Sequence, residues 1–364
     1  MDMTDEEFAE ELVKIEKLNL TPQEINLWRL SKWHEMTDIF HLTDLGNAKR
    51  FVRDHSAYVR YVSGWGWLIY DGTRWSKDST MEVFRLAKET VLKMYEEAAR
   101  EADDDRRKAL ITHALKSQSE VSLRHLLELA KSEIEITASP ELFESDPFLF
   151  NCTKGTLDLR SGTLRPHRKE DFITKLSPAE YDYSAKCPQW TAFLNKIMNG
   201  DKALIKFLQR MVGYMLSGDT SEQCLFIFFG TGANGKSTLI NILKRIVGEY
   251  AMQSPAETFL AKKTGGIPND IARLVGARLV TVVETDLQKR LAEGLIKSIT
   301  GNDTVAVRFL YKEYFECRLI LKLIIVTNHK PRVIGQDLAV TSQVIGTTSF
   351  PDIRDHHFHD LILY

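Results

Sequence analysis

Four cysteines are all that 364 residues contain, Cys152, Cys187, Cys224 and Cys317, far apart and with no C-x-x-C pair among them. No basic-then-apolar leader opens Met1–Glu16, and the two absences together predict a reduced, cytoplasmic compartment. Long hydrophobic runs are missing as well. Cys224–Phe229 and Leu319–Val326 fall far short of the roughly 18 residues that a membrane span needs, and Lys322 interrupts the second. There is no excess of charge of one sign: 48 basic residues face 50 acidic ones, for a net −2. A general electrostatic affinity for nucleic acid is therefore not implied, and any basic surface must be local. Glycine (20) and proline (10) are too few for low complexity, and 43% hydrophobic residues suffice for sizeable cores. At about 150 residues per domain the length allows two domains.

Met1–Lys17 is acidic, with Phe8, Leu12 and Ile15 at helical spacing. Arg60–Trp75 alternates aromatic and small residues around Asp71-Gly72, a hairpin signal whose aromatics are expected to pack across strands rather than stack bases. From Met81 to Glu135 the pattern is helical: Val83, Leu86, Val91, Leu92 and Met94, then Leu110, Leu115, Leu123, Leu126, Leu127 and Leu129. Asp103-Asp104-Asp105 between them reads as a helix start beside the positive end of the macrodipole. Ser139-Pro140 and Asp146-Pro147 mark a boundary. Short strands follow at Thr156–Leu159 and Thr163–Arg165, then helices at Trp190–Met198 and Leu204–Leu216.

The most informative stretch comes next. The apolar run Cys224–Phe229 leads into Gly230-Thr231-Gly232-Ala233-Asn234-Gly235-Lys236-Ser237-Thr238, and a helical pattern follows through Leu239, Ile240, Leu243, Ile246 and Val247. This is G-x-x-x-x-G-K-S between a strand and a helix, the context that a phosphate-binding loop requires. Gly230, Gly232 and Gly235 let the backbone turn its N–H groups toward phosphates at a helix N-terminus. Lys236 supplies a point charge, and the Ser237 hydroxyl can join a Mg²⁺ shell.

A second strand-like run, Arg278–Val283, ends in Glu284 and Asp286. Glu284 is the candidate for polarising an attacking water and Asp286 a candidate metal ligand. A third run, Leu319–Thr327, ends in Asn328, whose amide can hydrogen-bond a γ-phosphate. Between them lie a helix end, a Gly301-Asn302-Asp303 turn and a hairpin with Lys312 at its tip. Thr258–Arg332 holds thirteen basic residues against seven acidic, so the local basicity lies here.

Together these elements resemble the superfamily 3 helicases, and more narrowly the phage and plasmid primase-helicases related to the poxvirus replication NTPase. The similar stretches are Gly46-Asn47-Ala48-Lys49-Arg50, Trp65–Trp75, Asn151 with Gly155–Leu159, Gly230–Thr238, Glu284, Lys297–Asp303 with Arg308, and Thr327–Pro331. The resemblance implies an α/β P-loop NTPase with an AAA+-like core, preceded by a largely helical α+β domain. The implied division is an acidic helical segment over 1–40, the N-terminal domain over 41–200, an incomplete ATPase domain over 201–337 and an atypical tail over 338–364. It implies ATP and Mg²⁺ as ligands, a hexameric ring on single-stranded or forked DNA, other replication proteins as partners, and the cytoplasm of a bacterial host. By motif, Lys236 and Ser237 hold phosphate and metal, Glu284 activates water, Asn328 senses the γ-phosphate, and Lys312, with Arg308 and Lys297, meets DNA.

Two departures from the family pattern stand out. Only about 40 residues precede the first matching segment, so primase activity is not expected in this chain. After the sensor strand the family's paired arginines are missing, and Arg354 is the sole arginine after Thr341. The expectation is a frameshift or truncation near Asp337 that impairs hydrolysis. The His356-His357-Phe358-His359 cluster reads as incidental rather than metal-binding. A non-catalytic replication-interaction protein with a structural ATP site is the alternative.

Overall fold

Capping side chains fix where three of the first helices begin. In the computed structural model, which describes residues 40–230, 234–260, 269–284, 292–301, 303–308, 314–328 and 344–347, α1 spans Asp44–His55, α2 Glu82–Arg100, α3 Asp104–Ser117 and α4 Glu120–Ala130. Thr43 Oγ1 accepts from the Gly46 N–H at 3.1 Å, Asp103 from Arg106 at 2.7 Å and Ser119 from Ser122 at 3.2 Å. Each cap satisfies an otherwise orphan donor. Asp104 and Asp105 occupy the first turn of α3, where the macrodipole favours acids. Phe51, Val83, Leu86, Val91, Met94, Leu110, Leu123 and Leu126 are buried. Leu92, Leu115 and Leu129, expected with them, are exposed. At 100° per residue, Leu92 cannot share a face with both Val91 and Met94. The Gly46–Arg50 motif serves this packing: Asn47 Nδ2 donates to Ser117 Oγ at 2.9 Å, and Arg50 Nε to Glu97 at 2.8 Å.

These helices form one of two compact units, made of residues 40–60 and Asp78–Thr137; the other comprises Tyr61–Lys77 and the described residues from Ala138 onward. In the second unit, β1 (Gly66–Tyr70) and β2 (Trp75–Lys77) make the hairpin, with Tyr70 opposite Trp75. Asp71 Oδ1 ties its turn by accepting from the Thr73 and Arg74 N–H groups. Trp75 is 1% exposed, lies parallel to Phe172, and donates its indole N–H to the Lys169 carbonyl at 2.8 Å. Its aromatic face is spent on the core. A three-stranded antiparallel sheet follows: β3 (Leu149–Cys152), β4 (Gly155–Asp158) and β5 (Thr163–Arg165). Asn151 is fully buried, its amide donating to the Thr73 and Lys175 carbonyls and its oxygen accepting from Thr156. That one side chain pins the hairpin turn to the sheet.

After α5 (Pro188–Ile197) and α6 (Lys202–Leu216) comes the principal sheet. Its strands are β6 (Leu225–Phe229), β7 (Ala251–Gln253), β8 (Leu279–Glu284), β11 (Lys322–Thr327) and β12 (Val344–Thr347), all parallel, in the order β12-β6-β11-β8-β7. Helix α7 (Lys236–Val247) follows β6, and α8 (Glu293–Thr300) precedes a two-stranded ribbon of β9 (Thr304–Val307) and β10 (Phe315–Arg318). Both faces of the sheet are apolar, as parallel strands covered on both sides require. Phe226, Phe228, Ile324 and Val326 enter one core, and Leu225, Ile227, Leu323 and Ile325 the other.

The observed division differs from the one expected near residue 200. Leu149, Phe150, Phe193 and Ile197 share a core with Phe226 and Phe228, so the region after Ala138 packs with the sheet. Val344–Thr347, expected in an atypical tail, pairs with β6 as the fifth strand. Among the described residues, no helix is long and apolar enough to cross a membrane.

Candidate nucleotide-binding site

The central strands end in register. Thr327 pairs with Phe229 on one side and Glu284 on the other. Glu284 therefore lies level with Phe229 and Thr327, and Gly230 and Asn328 come one residue beyond that row, on strands about 4.8 Å apart, at the carboxyl end where open α/β sheets take ligands. Asn328 lies exposed in a bend directly after β11.

Gly235 makes the turn from loop to helix with φ at +84°, in the left-handed region, and a Cβ there would come within 2.7 Å of Ile197. Glycine fits both requirements. Helix α7 then starts at Lys236 behind a glycine N-cap, which offers no side chain to its first N–H groups, the arrangement that suits an anion. Lys236 is 5% exposed, and its Nζ donates to the Gly230 carbonyl at 2.7 Å and to Asn234 Oδ1 at 2.9 Å. Burial lowers its pKa from the usual lysine value. Ser237 is exposed and Thr238 half-buried on the same first turn.

The structure thus brings together Gly230, Asn234, Gly235, Lys236, Ser237, Thr238, Asn328 and the backbone of Glu284. Thr231, Gly232, Ala233, Asp286 and Lys312 lie outside the described residues, as does the Glu284 side chain. Lys297 is half-buried on α8, and Arg308 is exposed just beyond β9. Among the described residues, no group of three or more His, Cys, Asp or Glu side chains is placed to hold a metal. The His356–His359 cluster is outside them.

Two basic residues of the Thr258–Arg332 stretch belong to the interior instead of a basic surface. Arg278 is 1% exposed; its guanidinium donates to the Leu216 and Leu149 carbonyls and lies 4.6 Å from the centre of the Tyr250 ring. Lys322, also 1% exposed, donates to the Ser217 carbonyl and sits 4.7 Å from the Tyr214 ring centre. Both stand at the amino end of the sheet and satisfy the carboxyl end of α6. Arg278 stands at the head of its apolar run, whereas Lys322 interrupts one.

Residues 48–199 match the family model "D5 N terminal like", and residues 228–340 match "Family of unknown function (DUF5906)". The chain is similar to "Putative helicase L207/L206" of Acanthamoeba polyphaga mimivirus, at 26% identity over 200 residues, covering 53% of this chain and 21% of that protein. It is also similar to "Putative helicase 022R" of Frog virus 3 (isolate Goorha), at 22% identity over 274 residues, 56% of this chain and 28% of that protein. Both of these relatives carry helicase names, and neither family match by itself spans half of the chain. The matches span between a fifth and three tenths of these viral relatives. Among solved structures, the NrS-1 C-terminal region aligns over 85% of this chain and 62% of its own length, with 12% identity and a TM-score of 0.48. The D5-like match ends at residue 199, near the boundary expected from sequence, whereas packing divides the chain after Thr137.

Proposed function

We propose that this chain is the ATP-hydrolysing, DNA-unwinding part of a phage or prophage replication primase-helicase. The observation that carries the reading is electrostatic: a buried lysine and a helix N-terminus whose cap is a glycine lie together at the carboxyl end of a parallel sheet. Both favour an anion, and a nucleoside triphosphate tail supplies one. Lys236 and the Gly230–Thr238 backbone hold the phosphates. Ser237, with Asp286, holds magnesium, which offsets phosphate charge. Glu284 orients the attacking water and Asn328 contacts the γ-phosphate from the neighbouring strand. Lys312, Arg308 and Lys297 meet the DNA backbone, and the working form is a ring, hexameric as the family resemblance implies. The names of the viral relatives support the helicase assignment.

Steady-state ATP hydrolysis, with and without single-stranded DNA, tests this alongside strand separation on a forked duplex. The expected result is weak but DNA-stimulated hydrolysis and poor unwinding, as the missing paired arginines imply, with both lost in Lys236→Ala. Hydrolysis unchanged in Lys236→Ala overturns the site, and hydrolysis that ignores DNA overturns the helicase assignment.

A further inference from the structure

The β9–β10 ribbon has two faces of different character. Register pairs Val305 with Cys317 and Val307 with Phe315; Val305, Val307 and Cys317 are buried in the sheet's second core, and Phe315 packs against it. The opposite face carries Thr304, Ala306 and Arg308 on one strand and Tyr314, Glu316 and Arg318 on the other, all exposed. One step beyond the last ladder pair, Arg308 comes opposite Tyr314, with its guanidinium carbon 4.7 Å from the ring centre. Tyr314 is 57% exposed. A tyrosine placed there contributes little to the core, and its ring lies against a cation that directly follows a strand.

We propose that Tyr314, backed by Arg308, is a stacking platform for one base of a single-stranded nucleic acid. An aromatic face beside a guanidinium is the combination that binds strands without reading sequence: the ring takes any base's π-face while the cation meets the adjoining phosphate. Ala306, the small residue next to Arg308 on the same face, leaves room over the ribbon. Glu316 on that face repels phosphate and confines the backbone to the Arg308 and Tyr314 end. The inference rests on the DNA reading above and adds to it a contact to the base, where Lys312, Arg308 and Lys297 contribute charge alone.

Fluorescence anisotropy with the full chain, comparing an oligothymidylate with an abasic strand of equal length and charge, tests it. The parent is expected to prefer the thymidylate by about tenfold, the order of one base–aromatic stack. Tyr314→Ala should erase that preference while leaving abasic binding unchanged, and Tyr314→Phe should keep it. Arg308→Ala should flatten the salt dependence of binding by about one phosphate. Equal preference for thymidylate in the parent and a folded Tyr314→Ala, judged by unaltered thermal unfolding, overturns the platform and leaves the DNA reading standing. A parent that binds neither strand overturns both.

Discussion

Lys236 and Lys322 are two buried lysines at opposite ends of one sheet, and both donate to backbone carbonyls. Their local contacts look alike, yet the helix ends beside them have opposite polarity. Lys322 faces the carboxyl end of α6, where carbonyl dipoles welcome a cation, and Arg278 joins it on the preceding carbonyl. Lys236 stands at the amino end of α7, where the same dipole opposes it. The first lysine completes a helix end of the protein itself; the second stands at a helix end that favours an anion. Burial and hydrogen bonding do not separate these two lysines, but the polarity of the adjacent helix does.

The largest expected effect breaks the pair directly. Lys236→Ala should lower ATP turnover by about 10²–10³-fold, the usual cost of losing one donor to a charged transition state, without loss of thermal stability. Lys322→Ala should do the reverse, lowering stability in urea titration by about 2–4 kcal/mol through a cavity and an unsatisfied Ser217 carbonyl, with turnover per folded molecule unchanged. Lys322→Met, which refills the volume without charge, should cost less than half as much.

Acidity sharpens the contrast. Burial, reinforced by Arg278, pushes the Lys322 ammonium down to about 7 from 10.5, against the opposing influence of Asp219 and Cys224. Between those values the unfolded chain holds a proton that the folded chain has released, so stability should rise with pH from about 7 upward, by at most about 1.4 kcal/mol per unit. Below about 7 both states are protonated and the lysine contributes no slope. Chemical denaturation of the parent and Lys322→Met across pH 6–9 should differ by this rise, and parallel curves would refute it. The smallest effect concerns the other end of α6, where Asp201 accepts from the Ala203 and Leu204 N–H groups. Asp201→Ala should cost about 1 kcal/mol of stability and leave turnover intact.

Much of this architecture was legible where local chemistry decides it. The glycine at residue 235, the lysine after it and the apolar run before them dictate strand, turn and helix within a dozen residues, and Asn328 follows a β-branched strand that has few alternatives. Arg278 and Lys322 were harder because their partners, the Leu216 and Ser217 carbonyls, lie tens of residues away in sequence. Nothing near Lys322 separates an interrupting surface charge from a buried one. The core shared across residue 200 was hidden for a similar reason. Prolines at 140 and 147 mark the break locally, but that the following segment shares its core with Phe226 and Phe228 is a long-range fact. Leu92, Leu115 and Leu129 show the converse: a leucine on a helix enters a core only if its rotation about the axis agrees with its neighbours.

The hairpin held by Asn151 has a bearing on biosynthesis. Its residues, Tyr61–Lys77, belong with a unit whose remainder begins at Ala138, so the sixty residues 78–137 of the helical unit emerge in between. At ordinary elongation rates that interval is roughly 3–12 s. Throughout it Trp75 has been made while Lys169 and Phe172, against which it is buried, have not. A nascent chain of this design carries an unsheltered tryptophan through several seconds of translation, and single-cut truncations at 60, 77 or 137 each separate residues that one of the two cores needs.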